Sequence, residues 1–339
     1  MSQQENKEVF IVLTCDNNYI NYLLPCIKSI ICNKAQDTIL KINIFSDNIA
    51  KIYQNEIINQ QTSQISINFI DILDVYATCN YKNILNKKQE QAVAQRLFIP
   101  LYFSNHPKIL YIDADTIIQK DLLPLFNKNL ENNYIAAFKT GFPNKNTVIG
   151  WKSFINKDVD LIYQKILNFD LNVLSQNEYI NAGVILFNNQ KIIKDNKAQE
   201  LIDSITKFAN QLPWIDQDIL SRVFLHRIQN LEIRYNSFIC NLAEYLSLSK
   251  ANKKAYSNRI KSSEIIHYIR KPVLNKIGKI TFSNIYFKYF NQTSLSKKYN
   301  LSYYFYVFYY KNWIILKVST KFFINKFLSK IFKKNFLDC

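Results

Sequence analysis

The sequence predicts an α/β domain with a mostly parallel sheet flanked by helices, because short β-branched apolar runs alternate with segments of helical periodicity. The first run, Val9-Phe10-Ile11-Val12-Leu13-Thr14, has the unbroken apolar character of a strand buried on both faces. Asn18 to Cys32 follows with Tyr19, Tyr22, Leu23, Cys26, Ile27 and Ile30 at three-four spacing, as a helix packed on a sheet requires. Further strands are expected at Ile39 to Phe45, Ile65 to Ile70, Lys108 to Ile112 and Tyr134 to Phe138, with helices around Ile49 to Asn59 and Gln91 to Phe103. In such sheets ligands bind beyond the carboxyl ends of the strands, so the residue after each run is the place to look for chemistry.

Composition sets the outer limits. A chain of 339 residues, 48% hydrophobic and 14% aromatic, can bury one large core and still carry an appendage. Its formal charge of +17 admits nucleic acid, anionic lipid and phosphorylated glycans as partners. Four glycines in the whole chain leave no room for a P-loop or a GxGxxG fingerprint, so any nucleotide phosphates must be held by other means. The six cysteines form no CxxC pair, and the opening Met1-Ser2-Gln3-Gln4-Glu5-Asn6 lacks the basic and apolar regions of a signal peptide; both lead us to expect a reducing cytoplasm.

Two strand ends carry chemistry. Cys15-Asp16-Asn17-Asn18-Tyr19 offers a carboxylate, amides and a ring suited to a nucleoside, although helix capping by Asp16 or Asn17 with Tyr19 packed inward accounts for the same residues. Asp113-Ala114-Asp115-Thr116 follows Ile109-Leu110-Tyr111-Ile112, and a persisting strand would turn both carboxylates to one side, where they could share a divalent cation. Sixteen aspartates in 339 residues make about one Asp-x-Asp by chance, and three occur. Context separates them. The pair at 113 and 115 caps a buried strand, where unpaired carboxylates are costly, whereas Asp158/Asp160 lies in a lysine-containing polar stretch and Asp216/Asp218 opens an apolar helix that it could simply cap. Among the three histidines, His267 ends the apolar run Glu264-Ile265-Ile266 and precedes Arg270 and Lys271; it suits either a core position or the third ligand of Mn²⁺ or Mg²⁺.

In this order the motifs resemble those of the retaining glycosyltransferases of family 8, across roughly residues 9 to 272. The resemblance implies a Rossmann-like nucleotide-diphospho-sugar transferase fold of GT-A type, a UDP-hexose donor and a metal, Mn²⁺ or Mg²⁺. It implies that Thr14, Asp16, Asn18 and Tyr19 form the uridine site, and that Arg96, in Gln95-Arg96-Leu97-Phe98, contacts the donor sugar and diphosphate. Asp113, Ala114 and Asp115 become the metal strand, Asn181-Ala182-Gly183 a sugar-contacting strand, and Asp216-Gln217-Asp218 the catalytic segment. His267 becomes the third metal ligand and Lys271 the diphosphate lysine. This sequence departs from the pattern at His267-Tyr268-Ile269-Arg270-Lys271-Pro272-Val273, which lacks a glycine, shortens the histidine-to-lysine spacing and ends in Val. It departs again at Lys139-Thr140, where some members carry an acidic residue. The implied mechanism is front-face attack by an acceptor hydroxyl through an oxocarbenium-like state, with Gln217 assisting electrostatically and Asp216 orienting sugar hydroxyls, because an amide is a poor nucleophile.

The chain is expected to divide into a catalytic domain, residues 1–275, and a basic, aromatic, helical appendage, residues 276–339. In the latter, Ile324, Phe327, Leu328 and Ile331 share one helical face and Lys326, Lys330 and Lys333 the other, which suits an interfacial helix on an anionic membrane or a helix docked on the domain. The expected partners are thus a UDP-sugar, a glycan or glycolipid acceptor such as lipopolysaccharide, and the inner face of the plasma membrane, with nucleic acid disfavoured. The rival readings are a haloacid-dehalogenase-like phosphohydrolase using Asp113 and Asp115, and a non-catalytic basic binding module.

Overall fold

The structure, a computed structural model, describes residues 7–81, 94–140, 178–208, 212, 214–240, 242–269 and 281–298. Its strands are β1 (Glu8–Asp16), β2 (Ile39–Asp47), β3 (Ile65–Asp71), β4 (Ile109–Ile112), β5 (Thr116–Ile118), β6 (Ile135–Lys139), β7 (Ile180–Phe187), β8 (Ile228–Asn230), β9 (Ser237–Phe238) and β10 (Ile265–His267). The helices of seven residues or more are α1 (Ile20–Asn33), α2 (Lys51–Ile58), α3 (Ile72–Thr78), α4 (Lys197–Phe208), α5 (Ile215–Val223), α6 (Lys250–Ser262) and α7 (Ser283–Phe290).

Seven strands form the main sheet in the order β3-β2-β1-β4-β7-β6-β8. The pairs β3/β2, β2/β1, β1/β4 and β6/β8 are parallel, while β7 runs antiparallel to both β4 and β6. The expected mostly parallel sheet is present, with one reversed strand in its middle. Val9, Ile11, Val12 and Leu13 are wholly buried, which is why their run shows no polar alternation. The same holds for β7, all eight of whose residues are buried. The helix expected from Gln91 to Phe103 is instead, within the described residues, a 3-10 turn (Gln95–Phe98) running into a single α-turn (Ile99–Tyr102). Pro100 stands at the start of that turn, where its missing N–H costs nothing.

A second sheet, β5-β10-β9, stands beside the first. Its pairing of β10 with β5 sets His267 opposite Thr116 and so carries a residue from late in the chain to the end of β4.

Residues 283–298 pack on this body. Pro25 lies inside α1 and has no N–H to donate to the Asn21 carbonyl one turn earlier; the Tyr286 hydroxyl of α7 donates to it instead. Asn33 donates to the Tyr289 hydroxyl at 2.8 Å, and Glu56 accepts from the Ser294 N–H at 2.8 Å. Among the described residues no helix is long and apolar enough to cross a membrane. The predicted amphipathic face at Ile324 to Lys333 lies outside the described residues.

Candidate active site

The two carboxylates meet through a turn rather than through the expected strand alternation. The Asp113 N–H donates to the Gly183 carbonyl at 2.8 Å, extending the β4/β7 ladder by one residue. The Asp113 carbonyl then accepts from the Thr116 N–H at 3.2 Å and its hydroxyl at 2.8 Å, which closes a turn over Ala114 and starts β5. Tyr268 donates its N–H to the Asp115 carbonyl at 2.8 Å, so β10 delivers His267 against the turn. The His267 Nε2 lies 3.0 Å from the Asp115 Oδ1 and 3.6 Å from the Asp113 Oδ2. One ligand atom from each of Asp113, Asp115 and His267 falls within 4.8 Å of the others.

Arg96 anchors this cluster from the side. Its NH2 is 2.9 Å from the Asp113 Oδ1 and its NH1 is 3.0 Å from the Asp216 Oδ2, with NH1 also donating to the Ala182 carbonyl at 2.9 Å. The guanidinium lies over the Tyr111 ring, 4.7 Å from its centroid, and the Tyr111 hydroxyl donates to the Asp113 Oδ1. Burial raises the Asp216 pKa above the usual carboxylate range, as does Asp113, while Arg96 opposes the shift. Burial alone would lower the His267 pKa, yet Asp115 and Asp113 hold it above the ordinary histidine value. The carboxylate pair therefore stabilises positive charge at this point, whether a proton or a metal ion carries it. Arg96 pairs with Asp113 and Asp216 while Asp115 faces His267, so carboxylates outnumber guanidinium groups here and the cluster suits a divalent cation. Two oxygen donors and one imidazole fit Mn²⁺ or Mg²⁺.

Behind the cluster runs a chain of buried amides. Asn181 donates its Nδ2 to the Gln217 Oε1 at 2.9 Å, and that same oxygen accepts the Ala182 N–H at 3.1 Å. The Asn181 Oδ1 accepts the Gly183 N–H at 3.0 Å and the Asn236 Nδ2 at 2.8 Å, and Asn236 in turn meets the His267 Nδ1 at 2.8 Å. Asn181 and Gln217 are thus turned inward to one another. Gly183 has a steric reason to be glycine: a Cβ built there would stand 2.1 Å from the His267 Cε1 and 2.6 Å from its Nδ1. The third aspartate pair divides its labour. Asp216 serves Arg96, whereas Asp218 accepts from the Trp214 N–H at 3.1 Å and from the Tyr179 hydroxyl at 2.8 Å at the start of α5, and burial pushes its pKa up to about 7.

The expected nucleoside residues lie at the neighbouring strand end. Parallel pairing sets Val12 beside Tyr111, so β1 runs alongside β4 and continues past its end to Asp16. Thr14 Oγ1 is 3.2 Å from the Tyr111 hydroxyl. Asp16 caps the 3-10 turn Asn17–Tyr19, accepting the Tyr19 N–H at 2.9 Å and the Asn18 Nδ2 at 3.1 Å, so the capping reading of this motif holds for the chain by itself. Tyr19 is half-buried, with its ring 5.5 Å from that of Tyr22. At the second point of departure, Lys139 pairs with Glu178 at 2.8 Å. Arg270, Lys271, Asp158 and Asp160 lie outside the described residues. Two site neighbours escape sequence reasoning: Tyr111 is one more apolar residue in a strand run, and Asn236 sits in Arg234-Tyr235-Asn236-Ser237, which has no motif character.

The family model of glycosyl transferase family 8 matches residues 10–276. Glycosyltransferase GlyA of Streptococcus pneumoniae serotype 4 (strain ATCC BAA-334 / TIGR4) is 26% identical over 274 residues, which are 80% of this chain and 33% of GlyA. Lipopolysaccharide 1,2-glucosyltransferase of Escherichia coli is 24% identical over 290 residues, 80% of this chain and 76% of that protein. Among solved structures, the bifunctional glycosyltransferase WbbM superposes with a TM-score of 0.69 at 23% identity, covering 88% of this chain and 52% of WbbM. The galactosyltransferase LgtC, solved with donor and acceptor sugar analogues, gives 0.57 at 19% identity, covering 84% of this chain and 96% of LgtC. The chain thus spans about a third of GlyA and about half of WbbM. Both solved structures are GT-A glycosyltransferases, and the shared fold is the one the motif order implied.

Proposed function

The chain belongs to glycosyltransferase family 8, and from that premise we propose that it transfers a hexose, galactose or glucose, from a UDP-sugar to a glycan acceptor with retention of anomeric configuration. The observation that carries the reading is the convergence of Asp113, Asp115 and His267 beside Arg96 at the carboxyl end of the sheet. A divalent cation held by these three ligands, Mn²⁺ by the imidazole in the set, would neutralise charge on the departing UDP. Thr14, Asp16, Asn18 and Tyr19 hold the nucleoside at the end of β1. By the resemblance of its motif, Lys271 is the residue we assign to the diphosphate. Arg96 holds Asp113 and Asp216 in place through its two ion pairs, and Asp216 orients sugar hydroxyls. Gln217 assists the oxocarbenium-like state electrostatically; its amide oxygen is already tied to Asn181 and Ala182 and is a poor nucleophile, which favours front-face attack by the acceptor hydroxyl.

For the acceptor we propose lipopolysaccharide or another surface glycolipid, reached from the cytoplasmic face of the plasma membrane. Likeness to a protein called lipopolysaccharide 1,2-glucosyltransferase and the basic C-terminal sequence support that choice. Family membership favours this reading over phosphoester hydrolysis or a non-catalytic module. The test is UDP release from a panel of UDP-sugars, with Mn²⁺ and with a chelator. Turnover of a UDP-hexose that stops on chelation and returns with Mn²⁺ is expected. Turnover indifferent to the chelator, or phosphate release from a monoester in its place, would contradict the proposal.

A further inference from the structure

We propose that Asn236 is a positioning residue that keeps a hydrogen on the His267 Nδ1, so that Nε2 is the nitrogen offered to a cation beside Asp113 and Asp115. The inference rests on the metal-site reading above, and two backbone donors at the site have fixed identity. Backbone N–H groups can only donate. The Gly183 N–H meets one end of the Asn181 side chain at 3.0 Å, so that end is the carbonyl oxygen. The Ala182 N–H meets Gln217 at 3.1 Å, so the atom there is also an oxygen, and the Asn181 end facing it at 2.9 Å must be the NH₂. Both ends of Asn181 are therefore assigned by independent backbone groups, and the assignments agree.

The rest follows by complementarity. The Asn181 Oδ1 lies 2.8 Å from the Asn236 side chain, which must present its NH₂ there and its oxygen on the other side. That oxygen is 2.8 Å from the His267 Nδ1, so Nδ1 carries the hydrogen. In the neutral ring only Nε2 is then left without a hydrogen, and it points at the carboxylates, 3.0 Å from Asp115 and 3.6 Å from Asp113, which draw a proton or a cation to it. Asn236, Asn181 and His267 are all buried, so water does not compete for these bonds. Gly183 makes room on one side for the imidazole edge, since a Cβ there would stand 2.1 Å from the His267 Cε1. A histidine whose far nitrogen is fixed in this way is presented to a cation without a tautomer exchange at the moment of binding.

The test uses the full chain and Mn²⁺ as the probe. Nitrogen-15 NMR of the metal-free protein at alkaline pH, with the His267 signals identified by their loss in His267→Gln, is expected to show a protonated Nδ1. In Asn236→Ala the balance moves toward Nε2–H, and the Mn²⁺ affinity measured by titration falls about 10- to 100-fold. Asn236→Asp retains an acceptor for the Nδ1–H and is expected to bind Mn²⁺ nearly as tightly as the native chain. A merely structural role predicts the opposite order, since a buried carboxylate facing the Asn181 oxygen harms packing more than alanine does. Three results would overturn the proposal: an Nε2–H tautomer in the native chain, Asn236→Ala at native affinity, or Asn236→Asp binding no better than Asn236→Ala. A native chain that binds no Mn²⁺ would sink the metal reading instead, and the NMR result would still decide the tautomer.

Discussion

At the scale of single residues, the site is an exercise in compensated burial. Arg96 joins Asp113 and Asp216, and without it two nearly buried carboxylates would repel each other in a poorly solvated place. The sequence order of Arg96, Asp113, Asp115, Asn181, Asp216, Gln217 and His267 was legible because each motif is short and local. What joins them was not. Asn236 has no pattern around it, and its importance exists only once β9 and β10 are paired. Gly183 shows the same gap from the other side: its place in Asn-Ala-Gly is visible in the sequence, but the reason for it, an imidazole lying where a Cβ would go, is a tertiary fact. Gly183→Ala is therefore expected to displace His267, destabilise the fold by about 1 to 3 kcal/mol through overpacking, and weaken Mn²⁺ binding. Denaturant unfolding and metal titration check the two effects separately; native values in both would show that the ring has room to spare.

At the scale of elements, strands were easier to foresee than helices. A parallel strand with a buried middle, such as β1, announces itself by an unbroken apolar run, and its observed ends extend only slightly beyond the expected ones. The segment around Arg96 was harder, because Pro100 and a tight 3-10 turn break what reads as one helix. Antiparallel insertion of β7 also left no trace in periodicity, since a strand buried on both faces looks alike in either direction. Pairing between distant elements is likewise hidden: α1 contains Pro25, and the carbonyl it abandons at Asn21 is satisfied from α7, more than 250 residues later. Tyr286→Phe removes that donor while keeping the ring, so a loss of about 1 to 2 kcal/mol is expected from the unsatisfied carbonyl. Equilibrium unfolding measures it, and an unchanged midpoint would show that water or another group takes the donor's place.

At the scale of the whole molecule, a catalytic body carrying the family's motifs is followed by a strongly basic, aromatic tail. Residues 301–339 hold seven lysines against the single acid Asp338, and interleaved Tyr and Phe would let such a segment seat its rings at an anionic interface. On our reading, full-length protein sediments with anionic liposomes and a chain ending at residue 300 does not; equal sedimentation of the two would remove the tail from the account. The fold class was legible from strand runs and motif order, whereas nothing in composition chooses galactose over glucose, since that choice rests on a few hydroxyl contacts. The claim on which everything else depends is that Asp113 and Asp115 hold the metal for sugar transfer. Hexose transfer from the preferred UDP-sugar should be measured in saturating Mn²⁺ for the native chain, Asp113→Asn and Asp115→Asn, with folding of each confirmed by its unfolding midpoint. We predict that either substitution abolishes transfer in a folded protein; substantial metal-dependent transfer in both would contradict the assignment.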